Sequence, residues 1–180
     1  MRSLVLPLTV AALFLSGCAG SPPKPTFVQA PKKDALVDVN DQATVLVRPA
    51  SGVEMIHTDI QRLSEVISQK INEKKAKNGT GGEVSAYEVE VTVTRYEKGN
   101  AFARAMLAGL GQIHLDANVR LLSAESHTQL GQFEIKKTFA WGGVYGAATG
   151  MDDIEPAFAE GIAAALTGTP EDSKQQSAQK

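Results

Sequence analysis

Cys18, the one cysteine of the 180-residue chain, has its chemistry written in its neighbours. It closes Leu15-Ser16-Gly17-Cys18, behind Arg2 and an apolar run from Leu4 to Leu15 that is too short to cross a bilayer. A hydrophobic run, small residues and a thiol at this spacing form the pattern a bacterial lipoprotein signal peptidase cleaves. The expected chemistry is acylation: a diacylglyceryl group on the Cys18 sulfur and an acyl chain on its freed nitrogen. Each buried methylene adds ~0.8 kcal/mol, so two or three chains hold where a single one binds only marginally. The covalent lipid on Cys18 is the only prosthetic group expected, with no other cofactor. A disulfide within one chain is excluded.

Other reactive residue types are present without a pattern that uses them. His57, His114 and His127 lie far apart in sequence and read as surface residues, so no metal site is expected. Gly109-x-Gly111 lacks a third glycine and precedes a strand, which argues against a dinucleotide fingerprint. Neither a Gly-x-Ser-x-Gly elbow nor a His-Glu-x-x-His helix occurs. His114, Asp116 and Arg120 share the polar side of one strand, with Glu88 and Glu90 on the analogous side of another. That cluster is the basis of an alternative reading, a periplasmic hydrolase, although a solvated sheet face explains it with fewer assumptions. Asp152-Asp153 reads as helix capping, and Asn78-Gly79-Thr80 as a turn. A formal charge of −2 argues against nucleic acid as a partner. No catalytic residue is assigned, and the chain is read as not an enzyme.

The elements that must position these residues follow from periodicity. Residues 1–17 form the signal peptide. Residues 18–37 carry the lipidated cysteine and a tether with Pro22, Pro23, Pro25 and Pro31, an extended spacer of ~3.1 Å per residue that would stand the domain off the bilayer. Residues 38–168 form a single domain, and 169–180 a disordered tail. Its 43% hydrophobic and 21% charged composition is ordinary for a globular protein. Within the domain, 44–47 reads as a short strand. Ser51 and Glu54 match a capping box, opening a helix whose stripe is Ile56, Ile60, Leu63, Ile67 and Ile71. Tyr87 to Thr94 and Ile113 to Leu121 alternate with period two; Phe133, Ile135 and Phe139 share a third face interrupted by Lys137, with Leu130 out of phase and a bulge expected at Gly131. A final helix carries Ile154, Phe158, Ile162 and Leu166 on one stripe, with Gly161 marking a close approach. The predicted fold is α+β, in the order β-α-β-β-β-α: a four-stranded, mostly antiparallel sheet with two helices on one face.

With the first two strands parallel, two unusual segments meet at one edge of this sheet. Residues 98–111 (KGNAFARAMLAGLG) and 141–151 (WGGVYGAATGM) are too apolar and glycine-rich for ordinary hairpin turns. The simpler expectation is that Phe102, Met106 and Leu110 fold back into the core, with Trp141 capping the sheet. The sharper one is an exposed contact surface for a partner, a second copy or lipid, in which Phe102, Arg104, Met106, Leu110, Trp141 and Tyr145 are the candidate residues.

The same region carries a family resemblance. Tyr87 to Thr94, Arg95-Tyr96, Gly99-Asn100, Arg104, Gly109 and Gly111 running into a strand resemble a family of uncharacterised bacterial lipoproteins, whose shared domain is classed as one of unknown function. Gln112 stands where that family commonly has glycine. The resemblance implies a periplasmic lipoprotein domain without a catalytic residue. More distantly, the element order is similar to that of accessory lipoproteins of envelope assembly and secretion, such as the curli secretion lipoprotein, which implies an oligomeric secretion or pore accessory as a further alternative. Ala19 follows the cysteine, and its resemblance to lipoproteins of Gram-negative bacteria implies the outer membrane, with the domain in the periplasm. The expected partners are therefore the membrane through the anchor, and an envelope protein or a homo-oligomer.

Overall fold

Strict alternation along three consecutive strands gives the sheet one greasy face, and two long amphipathic helices cover it. The computed structural model describes residues 21–76, the backbone of 77–78, and residues 83–107 and 109–168. The signal segment, Cys18, Ala19, the Gly79-Thr80 turn and the tail from 169 lie outside the described residues. In chain order the elements are β1 (Thr26–Gln29), β2 (Gln42–Pro49), α1 (His57–Asn78), β3 (Ala86–Glu97), α2 (Ala101–Met106), β4 (Ile113–Ser123), β5 (Gln129–Phe139), α3 (Gly143–Ala148) and α4 (Met151–Thr167). The architecture is mixed α+β around one sheet, in the strand order β1-β5-β4-β3-β2.

The sheet has five strands, not the expected four. Its extra strand comes from the proline-rich segment read as a free spacer. Phe27 sits opposite Phe133 in the β1–β5 pair, with the two rings edge to face at 5.5 Å. The segment before it is also docked: the Lys137 ammonium donates to the Ser21 carbonyl at 2.8 Å. This explains the lysine that interrupts the apolar face of β5, and burial pulls its pKa down. Gly161 leaves room for the Pro23 backbone and the tip of Ile135, the close approach expected there.

β2 and β3 are parallel across the α1 crossover, and every other pair is antiparallel. The β4–β5 register slips between Leu121 and Leu122, at the bulge expected beside Gly131. Leu63, Ile67 and Ile71 of α1 and Ile154, Phe158, Ile162 and Leu166 of α4 are fully buried against Val89, Val91, Val119, Phe133 and Ile135. Each such side chain contributes about 1.5–3 kcal/mol over leaving it exposed.

The capping box at Ser51 and Glu54 does not form. Ser51-Gly52 is a turn in which Gly52 takes φ 82°, and the helix begins six residues after Ser51, at His57. Ile56 therefore lies outside the stripe and is exposed. At the other helix the capping reading holds: the Asp153 carboxylate accepts from the Gly150 N–H at 2.7 Å. Gly168, at φ 63°, ends α4.

Candidate interaction site at the loop edge

Chain direction places the site. β2, β3 and β5 end at one edge of the sheet and β4 begins there, so the α2 and α3 segments are neighbours, and the two short helices pack against each other.

Gly99 and Gly111 bracket the first segment in the left-handed region, at φ 65° and 67°. A Cβ on Gly99 would collide with the carbonyls of Gly111 and Gln112, and one on Gly111 with the carbonyl of Asn100. The Asn100 side chain then caps α2, accepting from the Ala103 N–H at 3.0 Å. The tight loop turns Arg104 inward.

Arg104 is a correction to the sequence reading. It is 3% exposed and is not a contact residue. Its Nε donates to the Gly146 carbonyl at 2.7 Å and Nη2 to the Thr149 carbonyl at 2.8 Å. Its Nη1 donates to the carbonyls of Gly111 at 2.7 Å and Lys98 at 3.3 Å. One planar fork thus fastens both segments through four backbone acceptors. A lysine, with a single nitrogen, cannot span them. The glycine, asparagine and arginine spacing is the loop's architecture.

With Arg104 as the internal post, the apolar side chains point outward. Phe102 is 73% exposed and Trp141 67%; Met106, Leu107, Leu110, Val144 and Tyr145 are also exposed. The expectation that Phe102, Met106 and Leu110 complete the core is overturned: the sheet and two long helices already close it, and α2 is too short to fold over it. Trp141 does not cap the sheet either. It meets Tyr145 edge to face at 6.1 Å, and Tyr145 meets Phe139 at 5.8 Å, so the aromatic row leads from the core outward. Segments 99–112 and 140–150 hold no ionisable side chain at their surface except the phenol of Tyr145, since Arg104 is turned in.

Beneath the edge lies a polar knot the sequence did not disclose. Glu155, fully buried in the first turns of α4, takes a forked contact from Arg62 of α1 at 2.8 and 2.9 Å. Arg62 also meets Asp59 at 3.0 Å, and Lys98 meets Asp59 at 2.8 Å while lying over the Tyr96 ring. Burial works against the Asp59 carboxylate, yet Lys98 and Arg62 outweigh it and hold its pKa below the ordinary value. Burial, then the charges of Glu155 and Asp59, pushes the Tyr96 phenol well up. Arg62 and Glu155 are 93 residues apart, and only the α1–α4 contact joins them. Glu155 in a helix face otherwise packed into the core was the available signal.

The polar sheet face behaves as a ladder of cross-strand pairs. Glu90 lies between Arg48, at 2.7 Å, and Arg120. His114 Nδ1 is 3.0 Å from the Thr138 hydroxyl. Burial raises the Asp116 pKa, opposed by Arg95, His114 and Lys136. His57 and His127 lie elsewhere, at the start of α1 and in the β4–β5 turn.

The family described as Domain of unknown function (DUF4410) matches residues 42–143, a span that contains Arg104 with its Lys98 and Gly111 acceptors and ends before Gly146 and Thr149. No curated protein matches. Among solved structures, two dodecamers of PelC from Paraburkholderia phytofirmans superpose with a TM-score of 0.53 at 8% and 10% identity, covering 82% of this chain and 99% of theirs. They show a shared fold. A Xanthomonas campestris protein of family DUF330 matches at 16% identity over 87% of this chain and 98% of its own, with a TM-score of 0.44.

Proposed function

The chain belongs to the DUF4410 family, and from that membership and its loop edge we propose that it is a lipid-anchored, non-catalytic binding and assembly module of the bacterial envelope. Cys18 carries the anchor, in the outer membrane, and the domain lies in the periplasm. The observation that carries this reading is the uncharged apolar edge. Phe102, Met106, Leu110, Trp141 and Tyr145 are displayed on a scaffold whose one charge, Arg104, is spent inside. Stability alone gives no reason to build such a surface, because the core closes without it. The polar face, by contrast, pairs its charges across strands and supports a hydrolase reading less well.

The test is the double substitution Phe102→Asp with Trp141→Ala in the full chain. It should weaken co-purification with envelope proteins while leaving the protein in the membrane fraction and the melting temperature in place. Unchanged association rejects the edge as the contact surface. Labelling with radioactive palmitate, lost in Cys18→Ser, tests the anchor separately. A second reading, a ring of copies of this chain, is supported by the dodecamers formed by PelC on the same fold; mass photometry of the acylated protein in detergent tests it.

A further inference from the structure

The docked N-terminal segment fixes where the anchor leaves the domain. β1 runs antiparallel to β5, so the chain ahead of Thr26 climbs toward the end of β5 that carries the loop edge. Pro23 sits at the level of Ile135, against Gly161 of α4. Ser21 is held one step higher by the Lys137 ammonium. Two residues beyond Lys137 β5 ends at Phe139, and Trp141 and α3 follow. From Ser21 back to Cys18 is three residues, a reach of at most about 11 Å even when fully extended. That reach from Ser21 spans the loop edge and falls short of the opposite end of the sheet.

We infer that the loop edge is a bilayer-contacting surface: the acyl chains on Cys18 and the side chains of Phe102, Met106, Leu110, Trp141, Val144 and Tyr145 enter the same lipid leaflet. This rests on the acylation of Cys18 in the reading above and names the occupant of that edge. The tether is then a clamp that holds the domain down, the reverse of a stand-off spacer. A short linkage of this kind presents lipid to the edge at high effective concentration, ahead of any diffusing partner. The composition of the edge suits that occupant. Segments 99–112 and 140–150 have no surface cation or carboxylate to desolvate, the exposed charges of Lys98, Asp152 and Asp153 lying at their margins, and Trp and Tyr are the side chains that favour the headgroup boundary, where an apolar body and a polar tip are both satisfied. Several apolar side chains beside an acyl anchor also supply the additional attachment that makes membrane binding stable.

Trp141 is the only tryptophan, so the full-length acylated protein reports on its own edge. The protein is reconstituted into vesicles of phosphatidylethanolamine and phosphatidylglycerol, with and without brominated acyl chains. The expected result is a blue-shifted Trp141 emission, protection from iodide, and loss of most of the emission in brominated vesicles. Phe102→Asp with Leu110→Asp should reverse the shift and the bromine quenching while the protein still floats with the vesicles and melts as before. Protein that floats with Trp141 still open to iodide overturns the inference and leaves the anchor standing. Protein that does not float, with no palmitate on Cys18, overturns the anchor and this inference together. A blue shift that tracks protein concentration in the absence of lipid assigns the edge to a second copy of the chain and also overturns it.

Discussion

The two ends of the sheet solve the same problem, turning the chain between strands, with opposite chemistry. At the end away from the loop edge, short polar side chains bond the nearby backbone and one another. The Asp41 carboxylate accepts from the N–H groups of Asp38 at 2.6 Å and Ser85 at 2.8 Å, and the Ser126 hydroxyl donates to Thr128 at 2.9 Å. Such turns are local, and each is closed by residues near it in sequence or on the neighbouring strand. At the loop edge one long cation, Arg104, collects carbonyls from two segments some forty residues apart, and the side chains left over are apolar and exposed. The polar end is built to face water. The loop edge is built as a rigid pedestal for side chains that water does not favour, and rigidity there has to come from a single buried group.

The comparison breaks most visibly at Arg104. Arg104→Ala removes four hydrogen bonds to inward carbonyls, of which Gly111 keeps a second donor in the Asn100 N–H, and separates α2 from α3. The expected cost is about 3–5 kcal/mol, the range for removing one member of a buried charged arrangement, read from urea denaturation. Arg104→Lys should recover only a part, because an ammonium cannot serve both segments. A loss below about 1 kcal/mol, typical of one ordinary hydrogen bond, would mean the two segments are not held by this fork. At the polar end, Asp41→Ala removes a buried carboxylate that accepts from two half-buried N–H groups, and the expected loss is about 1–2 kcal/mol. If Asp41→Ala costs as much as Arg104→Ala, the contrast between distributed and concentrated support fails.

How much of this was legible in sequence differs along the same line. Local signals read through: the period-two strands, the stripe from Leu63 to Ile71, the bulge near Gly131, the Asp153 cap and the close approach at Gly161 each depend on a few neighbouring residues. The parallel first crossover then placed the two loop segments together. Signals that need a distant partner did not read through. Pro22 to Pro31 has spacer composition, and only the empty edge of β5 and the Lys137 ammonium turn it into a docked strand. Phe102 and Met106 have core composition, and only the completed helix layer excludes them. Arg104 was visible as the lone charge in an apolar segment. Its inward direction, however, depends on carbonyls of residues 146 and 149, which sequence spacing does not place.

Acid separates the two ends more gently. The folded-state pKa of Asp59 lies below the ordinary aspartate value of 3.8 because Lys98 and Arg62 overcome the penalty of burial. A depressed carboxylate pKa contributes stability that is fully present above the unfolded value and is lost as pH falls through the folded one. Wild-type melting temperature should therefore fall below about pH 4, and Asp59→Asn should flatten that dependence while starting from a lower plateau at neutral pH. Because Asp59 ties α1 to Lys98 under the loop edge, amide exchange in α2 should quicken over this interval before exchange in the β4–β5 hairpin. Simultaneous quickening of both would place the acid-labile support in the shared core.

The smallest expected effect carries the sharpest contrast. Phe102→Asp with Trp141→Ala alters two large apolar side chains, a change that would cost several kcal/mol apiece in a core. Both are more than half exposed here, and neither supports the Arg104 fork through its side chain. The unfolding free energy should move by no more than about 0.5 kcal/mol. Trp141 loses its edge-to-face contact with Tyr145, which sets the sign as slightly destabilising and leaves Phe102→Asp nearly neutral. A loss of 2 kcal/mol or more, on the order of a buried aromatic truncation, would show that these side chains fold onto the sheet and that the edge is a piece of core.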